Sequence, residues 1–104
     1  MRIISTKTLR KYWEEYAKAK QSIISWYKET ESAQWSNPNE LKEQFGNASV
    51  INNKRVVFNI HGNDFRLVTD IEYRLKIVFI VWFGTHKQYD KINVKEIKYD
   101  NKAR

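Results

Sequence analysis

Cysteine is absent from the 104 residues of this chain. A disulfide framework and a thiolate metal site are therefore excluded. No apolar run approaches the roughly 20 residues of a transmembrane helix, and the longest run, Ile77–Phe83, has the length of a strand. The first residues also lack the apolar core of a signal peptide. We therefore expect a cytoplasmic protein with no membrane partner.

Several local signatures of catalysis are missing as well. The chain has neither a glycine-rich phosphate loop nor a Ser-His-Asp pattern. The histidines His61 and His86 could act as metal ligands together with Asp90, but their spacing is not that of a metal site. The sequence therefore predicts no metal and no cofactor.

What the chain does contain is an aromatic-rich apolar share and a basic surplus. Hydrophobic residues make up 41% of the sequence, enough for one domain that spans residues 1–104. Lysine and arginine number 19 against 12 acidic residues, and most of this surplus falls after residue 52. A basic surface attracts nucleic acid, anionic lipid or an acidic protein. A solvated basic surface without a polyanionic partner is the alternative.

The first half of the chain has the periodicity of helices. Ser5 or Thr6 is predicted to cap a helix, and a second helical segment follows closely to form an αα-hairpin. A short third helix is predicted over Pro38–Phe45, with Gly46 ending it in the left-handed conformation. Trp35, in the loop before this helix, is the one aromatic residue that could face a partner.

The second half has the pattern of strands. Residues 65–73 alternate between apolar and polar side chains, whereas 75–83 is apolar on both faces and is typical of a central strand. We predict an α+β fold, with two to three N-terminal helices on one face of an antiparallel sheet of about four strands. Ile3-Ile4 suggests a short edge strand, the other sheet face is expected to stay open, and residues 98–104 are expected to fray.

A compact group of titratable side chains follows the last long strand. His86, Tyr89 and Asp90 have the i, i+3, i+4 spacing of one helical face, and Thr85 with Gln88 can form a capping box. Imidazole transfers protons near neutral pH, and a tyrosine ring can stack on a base. The alternative is an exposed turn in which Tyr89 merely packs under the sheet.

Basic residues on the neighbouring strands could complete an RNA-cleaving site. RNA cleavage without a metal needs groups that deprotonate a 2′-hydroxyl, stabilise a phosphorane and protonate the leaving oxygen. Arg66 lies on the polar face of its strand, with Lys54 and Arg55 at the adjacent hairpin. The alternative for Arg66 is a cross-strand ion pair with Asp70 or Glu72, and Asn63 fits the role of a turn former.

Two motifs in fixed order give the chain a family resemblance. Residues 57–68 read V-F-N-I-x-G-N-x-x-R-L-V, and residues 85–91 read T-H-x-x-Y-D-K. In this order they resemble the HigB family of type II toxin–antitoxin toxins, a branch related to the RelE-like mRNA interferases. Gln88 departs from the glutamate that we would expect between the histidine and the tyrosine, at a position that looks variable.

The resemblance implies a RelE-like fold and a ribosome-dependent endoribonuclease. Such toxins enter the A site of the 70S ribosome and cut mRNA there, without a metal, by attack of the 2′-hydroxyl on the adjacent phosphate. The resemblance also implies a cognate HigA-like antitoxin with a helix-turn-helix DNA-binding fold. The alternatives are an RNA-binding or ribosome-binding module that blocks translation without cutting, and a toxin aimed at DNA gyrase.

The resemblance and the residue types together define a predicted site. We expect Arg66 to stabilise the phosphorane, His86 to act as general acid or base, Tyr89 to stack on or orient the nucleotide, and Asp90 to set the His86 tautomer. The residues expected to bind RNA are Lys54, Arg55, Asn63, Lys87 and Lys91.

Overall fold

The described part of the chain combines four α-helices with one sheet. A computed structural model of the chain describes residues 1–99. The elements in chain order are β1 (Arg2–Ile4), α1 (Thr6–Glu15), a 3-10 turn (Ala17–Ala19), α2 (Lys20–Ser32), α3 (Pro38–Gln44), β2 (Ser49–Val50), β3 (Arg55–Ile60), β4 (Phe65–Glu72), β5 (Ile77–Thr85) and α4 (His86–Tyr89). The predicted α+β class is confirmed. Within the described residues, no helix is long and apolar enough to cross a membrane.

Over residues 1–99, the sheet has five strands where the sequence predicted about four, and the fifth is the edge strand that Ile3-Ile4 suggested. Its order is β1-β5-β4-β3-β2, and β2 to β5 form the expected antiparallel meander. The fifth strand, β1, lies parallel to β5, with Arg2 opposite Ile77 and Ile4 opposite Phe79. The sheet is therefore mixed, because the chain start pairs with a strand far away in sequence.

The main core lies between the helices and one face of the sheet. Tyr12 of α1 stacks on Phe83 of β5 with ring centroids 5.2 Å apart. Trp26 of α2 meets Phe58 of β3 edge-on at 5.3 Å. Each such fully buried side chain stabilises the fold by about 1.5–3 kcal/mol. These contacts hold the helices against one face of the sheet, as predicted.

Trp35 belongs to this core, and the prediction that it faces a partner is wrong. Its side chain is buried, and its ring lies 25° from parallel to that of Phe58. The indole Nε1 donates to Gln44 Oε1 at 3.0 Å, which satisfies its polar atom inside the fold. The residues next to Trp35 in the sequence are polar, so nothing in the sequence indicates that its side chain is buried.

The short helix α3 confirms one predicted end and corrects the other. Asn37 Oδ1 accepts from the Glu40 N–H at 3.0 Å, and Pro38 occupies the first turn. Gly46, however, does not adopt the left-handed conformation. Instead the Lys42 ammonium donates to the Gly46 carbonyl at 2.7 Å, so a side chain caps this end.

The second face of the sheet carries three register pairs of β3 and β4. Residues of equal parity share a face of a strand. A charged pair stands at one end of this face, an apolar pair in the middle and a polar pair at the other end. From end to end these pairs are Arg55–Asp70, Val57–Val68 and Asn59–Arg66.

The middle of this second face is covered, contrary to the prediction of an open face. Val57, Val68 and Val81 form a small apolar cluster, on which Val94 and Ile97 of the segment after α4 pack. Burying apolar surface on both faces stabilises a sheet more than leaving one face wet. Among residues 1–99, Arg66 stays partly exposed at one end of this face, and Phe79, opposite Asp70, is exposed at the other.

Tyr99 fastens the end of the described chain to α1. Its hydroxyl accepts from Ser5 Oγ at 2.8 Å and lies 3.0 Å from Thr8 Oγ1. Residues 100–104 lie outside the described part, so fraying of residues 98–104 stays a prediction. Ser5 has a left-handed φ of 78° and forms no side-chain cap, so the predicted cap of α1 is wrong.

Candidate functional site

The predicted site residues converge at the end of the sheet where β3 turns into β4. The turn contains His61 with φ 55° and Gly62 with φ 64°, two consecutive left-handed residues. Glycine adopts this conformation at no steric cost, whereas histidine pays for it. The turn therefore bends sharply, and it brings Asn63 back against Arg66 of β4.

Arg66 is oriented by neutral oxygen atoms. Its Nη2 donates to Asn63 Oδ1 at 2.7 Å, and its Nη1 donates to the carbonyls of Asn63 at 3.2 Å and Phe65 at 3.1 Å. Within residues 1–99, no carboxylate pairs with this guanidinium. The alternative of a cross-strand ion pair is therefore not what forms, because Asp70 pairs with Arg55 instead.

Tyr89 brings an aromatic ring to the same guanidinium. The Arg66 Cζ atom lies 5.9 Å from the centroid of the Tyr89 ring, within the range of a cation–π contact. Trp82 packs against Tyr89 at 6.4 Å between ring centroids. Burial raises the pKa of the Tyr89 hydroxyl, and the nearby Arg66 charge opposes this shift only in part. The hydroxyl is therefore a neutral donor at neutral pH.

A capping box fixes the start of α4, as predicted. The Gln88 N–H donates to Thr85 Oγ1 at 3.1 Å, and the Thr85 N–H donates to Gln88 Oε1 at 2.9 Å. A Cβ atom at Gly84 would lie 2.5 Å from the Trp82 ring and 2.6 Å from Gln88 Oε1. Only glycine at this position leaves room for both side chains.

His86 and Asp90 form the exposed half of the site. His86 Nε2 lies 3.6 Å from Asp90 Oδ1, and their side chains are 47% and 62% exposed. The His86 N–H donates to the Asp64 carbonyl at 2.9 Å, which ties α4 to the β3–β4 turn. The imidazole is therefore accessible to a substrate while its backbone is fixed.

Two predicted RNA-binding residues lie elsewhere. Arg55 is buried and pairs with Asp70 through two bonds of 2.8 and 2.9 Å. Asn59, which lies opposite Arg66 on the neighbouring strand, is four positions further along β3 than Arg55. The two positions are therefore about 13 Å apart at roughly 3.3 Å per residue. The role of phosphate ligand does not fit Arg55, and Lys54 is exposed at the same far end.

The two lysines of the motif lie beside the site and expose their side chains. Lys87 belongs to α4, and Lys91 follows it. Lys91 lines a surface groove together with Tyr16, Trp82 and Gln88. Because no carboxylate of residues 1–99 pairs with Arg66, its positive charge adds to that of the two lysines and favours the approach of a phosphate backbone.

Sequence reasoning missed Trp82 and Gly84 as parts of the site. Both lie inside an apolar strand, where a tryptophan and a glycine read as core residues, and no local signal marks them. His61 bonds Asp64 rather than joining His86 and Asp90. Within residues 1–99, no three His, Asp or Glu side chains form a group able to hold a metal ion.

Comparison with known proteins identifies the family of the chain. Residues 19–92 match the model of a family described as the HigB toxin, RelE-like toxic component of a toxin–antitoxin system. The chain is 27% identical over 92 residues to the mRNA interferase toxin HigB of Escherichia coli (strain K12), covering 86% of this chain and 88% of that protein. The same figures hold for the mRNA interferase HigB of Shigella flexneri. The chain therefore belongs to the HigB family of RelE-like toxins of toxin–antitoxin systems.

Proposed function

We propose that this toxin is an endoribonuclease that cleaves mRNA on the ribosome. The observation that carries the proposal is the Arg66 guanidinium. It is oriented by Asn63 and the Tyr89 ring, has no partner carboxylate in the described part of the chain, and lies at the same end of the sheet as the exposed His86. The similar proteins named mRNA interferases support RNA as the substrate.

The proposed reaction is a transesterification within the RNA strand. The 2′-hydroxyl oxygen attacks the adjacent phosphorus, its proton passes to a base, and a pentavalent phosphorane forms. The bond from phosphorus to the 5′-oxygen then breaks, and that oxygen takes up a proton from an acid. The products are a 2′,3′-cyclic phosphate and a free 5′-hydroxyl, so each step conserves atoms and charge.

Each side chain of the site has a role in this scheme. Arg66 stabilises the extra negative charge of the phosphorane, because its own charge is not neutralised by a carboxylate. His86 carries the proton at one of the two oxygens, and Asp90, 3.6 Å away, stabilises the imidazolium. Tyr89 holds the nucleotide through its ring and donates a hydrogen bond from its neutral hydroxyl.

Binding residues extend the site along the RNA backbone. Lys87 and Lys91 hold the phosphates next to the scissile one, since both expose their ammonium groups beside α4. Asn63 acts mainly through Arg66, and Lys54 reaches only a phosphate several nucleotides away. The 70S ribosome presents the mRNA in its A site, and a helix-turn-helix antitoxin neutralises the toxin.

The test is cleavage of a translated message, mapped by primer extension, for the wild type and for Arg66→Ala and His86→Ala. We expect new 5′ ends with wild type only, and only when ribosomes translate the message. Arg74→Ala is the matched control, because it removes an equal charge from an exposed arginine in the β4–β5 turn. We expect this control to cleave like wild type.

Two outcomes would overturn the proposal. Ribosome binding that arrests translation without new 5′ ends would assign a non-cleaving module. Inhibition of DNA supercoiling by the purified protein, with translation intact, would assign gyrase as the target. Equal cleavage by wild type and Arg66→Ala would remove Arg66 from the mechanism.

A further inference from the structure

Three charged or titratable side chains meet where the β3–β4 turn approaches the helices. None of them is among the site residues named above. Asp64 Oδ2 lies 2.8 Å from His61 Nδ1 and 3.1 Å from the Lys18 ammonium. Lys18 comes from the 3-10 turn between α1 and α2, whereas His61 and Asp64 belong to the β3–β4 turn. We call this group the Asp64 clamp. It joins the helical layer to the turn at the active end of the sheet.

The clamped turn supports both halves of the proposed site. The Asp64 carbonyl accepts the His86 N–H at 2.9 Å, which positions the first residue of α4. The preceding residue, Asn63, holds the Arg66 guanidinium through its side chain and its carbonyl. A displacement of this one turn would therefore move the imidazole and the guanidinium together.

The turn needs an external support because its backbone is strained. His61 has a left-handed φ of 55°, which side chains other than glycine rarely adopt. Strained segments persist where surrounding contacts over-determine them. The Lys18–Asp64 contact supports the turn from outside, and the His61–Asp64 contact stabilises it from within. The hydrogen bonds from His61 and Lys18 lower the pKa of the Asp64 carboxyl, so the carboxylate is charged at neutral pH.

We propose that Asp64, held by Lys18 and His61, is the positioning residue of this toxin's active site. The proposal rests on the proposed function for the meaning of "active", but its structural part can be tested without RNA. Asp64 does not touch the reacting atoms. It acts through the His86 backbone and through its neighbour Asn63.

The expected effects are modest, because the ion pair is exposed. The Lys18 and Asp64 side chains are 67% and 45% exposed, and exposed pairs are screened by solvent. We expect Lys18→Met to lower kcat for mRNA cleavage about 3-fold and Asp64→Ala about 10-fold, with KM nearly unchanged. A binding residue would change KM instead.

Hydrogen exchange of the His86 amide provides the readout that is independent of catalysis. We expect exchange at His86 to accelerate about 3-fold in Lys18→Met and about 10-fold in Asp64→Ala, because opening of the turn exposes this amide. The amide of Leu67, in the middle of β4, serves as the internal reference and should not change. Lys18→Arg should restore both exchange and kcat, since it can still reach the carboxylate.

Lys11→Met is the matched charge control. Lys11 lies on α1, is similarly exposed and forms only a 4.0 Å pair with Glu14. It removes one positive charge, as Lys18→Met does, without touching the turn. We expect wild-type kcat and wild-type exchange at His86 for this variant.

The two levels of the proposal fail in different ways. Unchanged His86 exchange in both Lys18→Met and Asp64→Ala would overturn the clamp, whatever the activity. Faster exchange with unaltered kcat in a cleaving enzyme would overturn the positioning role. Faster exchange in a protein whose wild type does not cleave RNA would uphold the clamp and overturn the proposed function.

Discussion

Arg55 and Arg66 lie on the same face of the sheet, on adjacent strands, yet their environments are opposite. Arg55 gives two bonds to the Asp70 carboxylate and two more to the carbonyls of Val94 and Ile97. Within residues 1–99, Arg66 donates only to neutral oxygens, and it lies against an aromatic ring. The first is buried, and the second is partly exposed.

This comparison shows what separates a structural arginine from one available to a substrate. Carboxylate oxygens orient a guanidinium and also cancel its charge, as at Arg55. Amide and carbonyl oxygens orient it and leave the charge for another anion, as at Arg66. The charge of Arg55 therefore stabilises the fold, whereas that of Arg66 remains available for a phosphate.

Removing the buried arginine should have the largest effect. Arg55→Met leaves Asp70 without its partner and frees the segment that carries Val94 and Ile97, so we expect a loss of about 3–5 kcal/mol in the free energy of unfolding. Urea denaturation measures this loss. The double variant Arg55→Met with Asp70→Leu should recover most of it, because no unpaired charge remains. A stability loss below about 1 kcal/mol for the single variant would contradict the structural role.

Removing the available arginine should instead affect chemistry. We expect Arg66→Ala to lower mRNA cleavage about 10²–10³-fold, since one group that stabilises transition-state charge is lost. Its free energy of unfolding should change by less than about 0.5 kcal/mol. Arg66→Lys keeps the positive charge but lacks the two guanidinium nitrogens that donate to Asn63. Its activity should therefore lie between that of wild type and that of Arg66→Ala. A large loss of stability in Arg66→Ala would show that Arg66, like Arg55, is a structural arginine.

Gly84 lies opposite Arg66 in the sheet and tests how tightly the active end is packed. Gly84→Ala forces its new methyl against Trp82 and Gln88, so we expect a loss of about 1–3 kcal/mol and a parallel loss of cleavage. Thermal unfolding and primer extension measure the two losses. Gly46→Ala is the control, because nothing lies within 4 Å of a Cβ there. Equal stability of the two variants would show that Trp82 adjusts freely.

Loss of the N-terminal cap of α4 should lower stability only a little, but it should displace His86 and so lower cleavage. Thr85→Ala removes the oxygen that accepts from the Gln88 N–H, at a cost of about 1 kcal/mol. We expect cleavage to fall with it, because His86 is the first residue of this helix. Thr85→Ser keeps the oxygen and should behave like wild type in urea denaturation. If Thr85→Ser lost as much stability as Thr85→Ala, the methyl group rather than the cap would be responsible.

Titration of Tyr89 gives the smallest effect and reports on Arg66 directly. The pKa of its hydroxyl is raised above the ordinary value of about 10. The neutral Tyr89 hydroxyl therefore contributes fully to the free energy of unfolding below pH about 10. This contribution is lost as the pH rises through the pKa of Tyr89 in the folded protein. Because the Arg66 charge lowers this pKa, Arg66→Met should raise it further. The tyrosinate absorbance of wild type minus that of Tyr89→Phe measures it, and a downward shift would contradict the contact with Arg66.

The starts of two helices, α3 and α4, were predictable from local chemistry, whereas the cap of α1 and the left-handed Gly46 were predicted from residue type and do not form. The Asn37-Pro38 start of α3 and the Thr85–Gln88 box of α4 followed from residue types at fixed spacing. The pairing of β1 with β5 did not, since two isoleucines carry no information about a distant partner. The cover over the second face was visible only as three apolar residues after α4, without a signal for where they pack.

The site was predictable to the same degree. The contact between His86 and Asp90 follows from the i, i+4 spacing. The roles of Arg55 and Arg66 could not be separated, because both occupy polar positions of strands. The difference arises from the β3–β4 register, which puts Asp70 opposite Arg55 and Asn59 opposite Arg66. Tyr89 reaches Arg66 across the fold, a contact that no local pattern indicates.

The parallel pairing of β1 with β5 has a consequence for the time at which this toxin becomes complete. During synthesis, β1 emerges first but has no strand to join until Ile77–Phe79 has left the ribosome. The contact of Ser5 with Tyr99 spans 94 positions and forms later still. Folding rates fall as such distant contacts accumulate, because loop closure precedes the gain from each contact. The toxin therefore gains this closure only after most of the described chain has been synthesised.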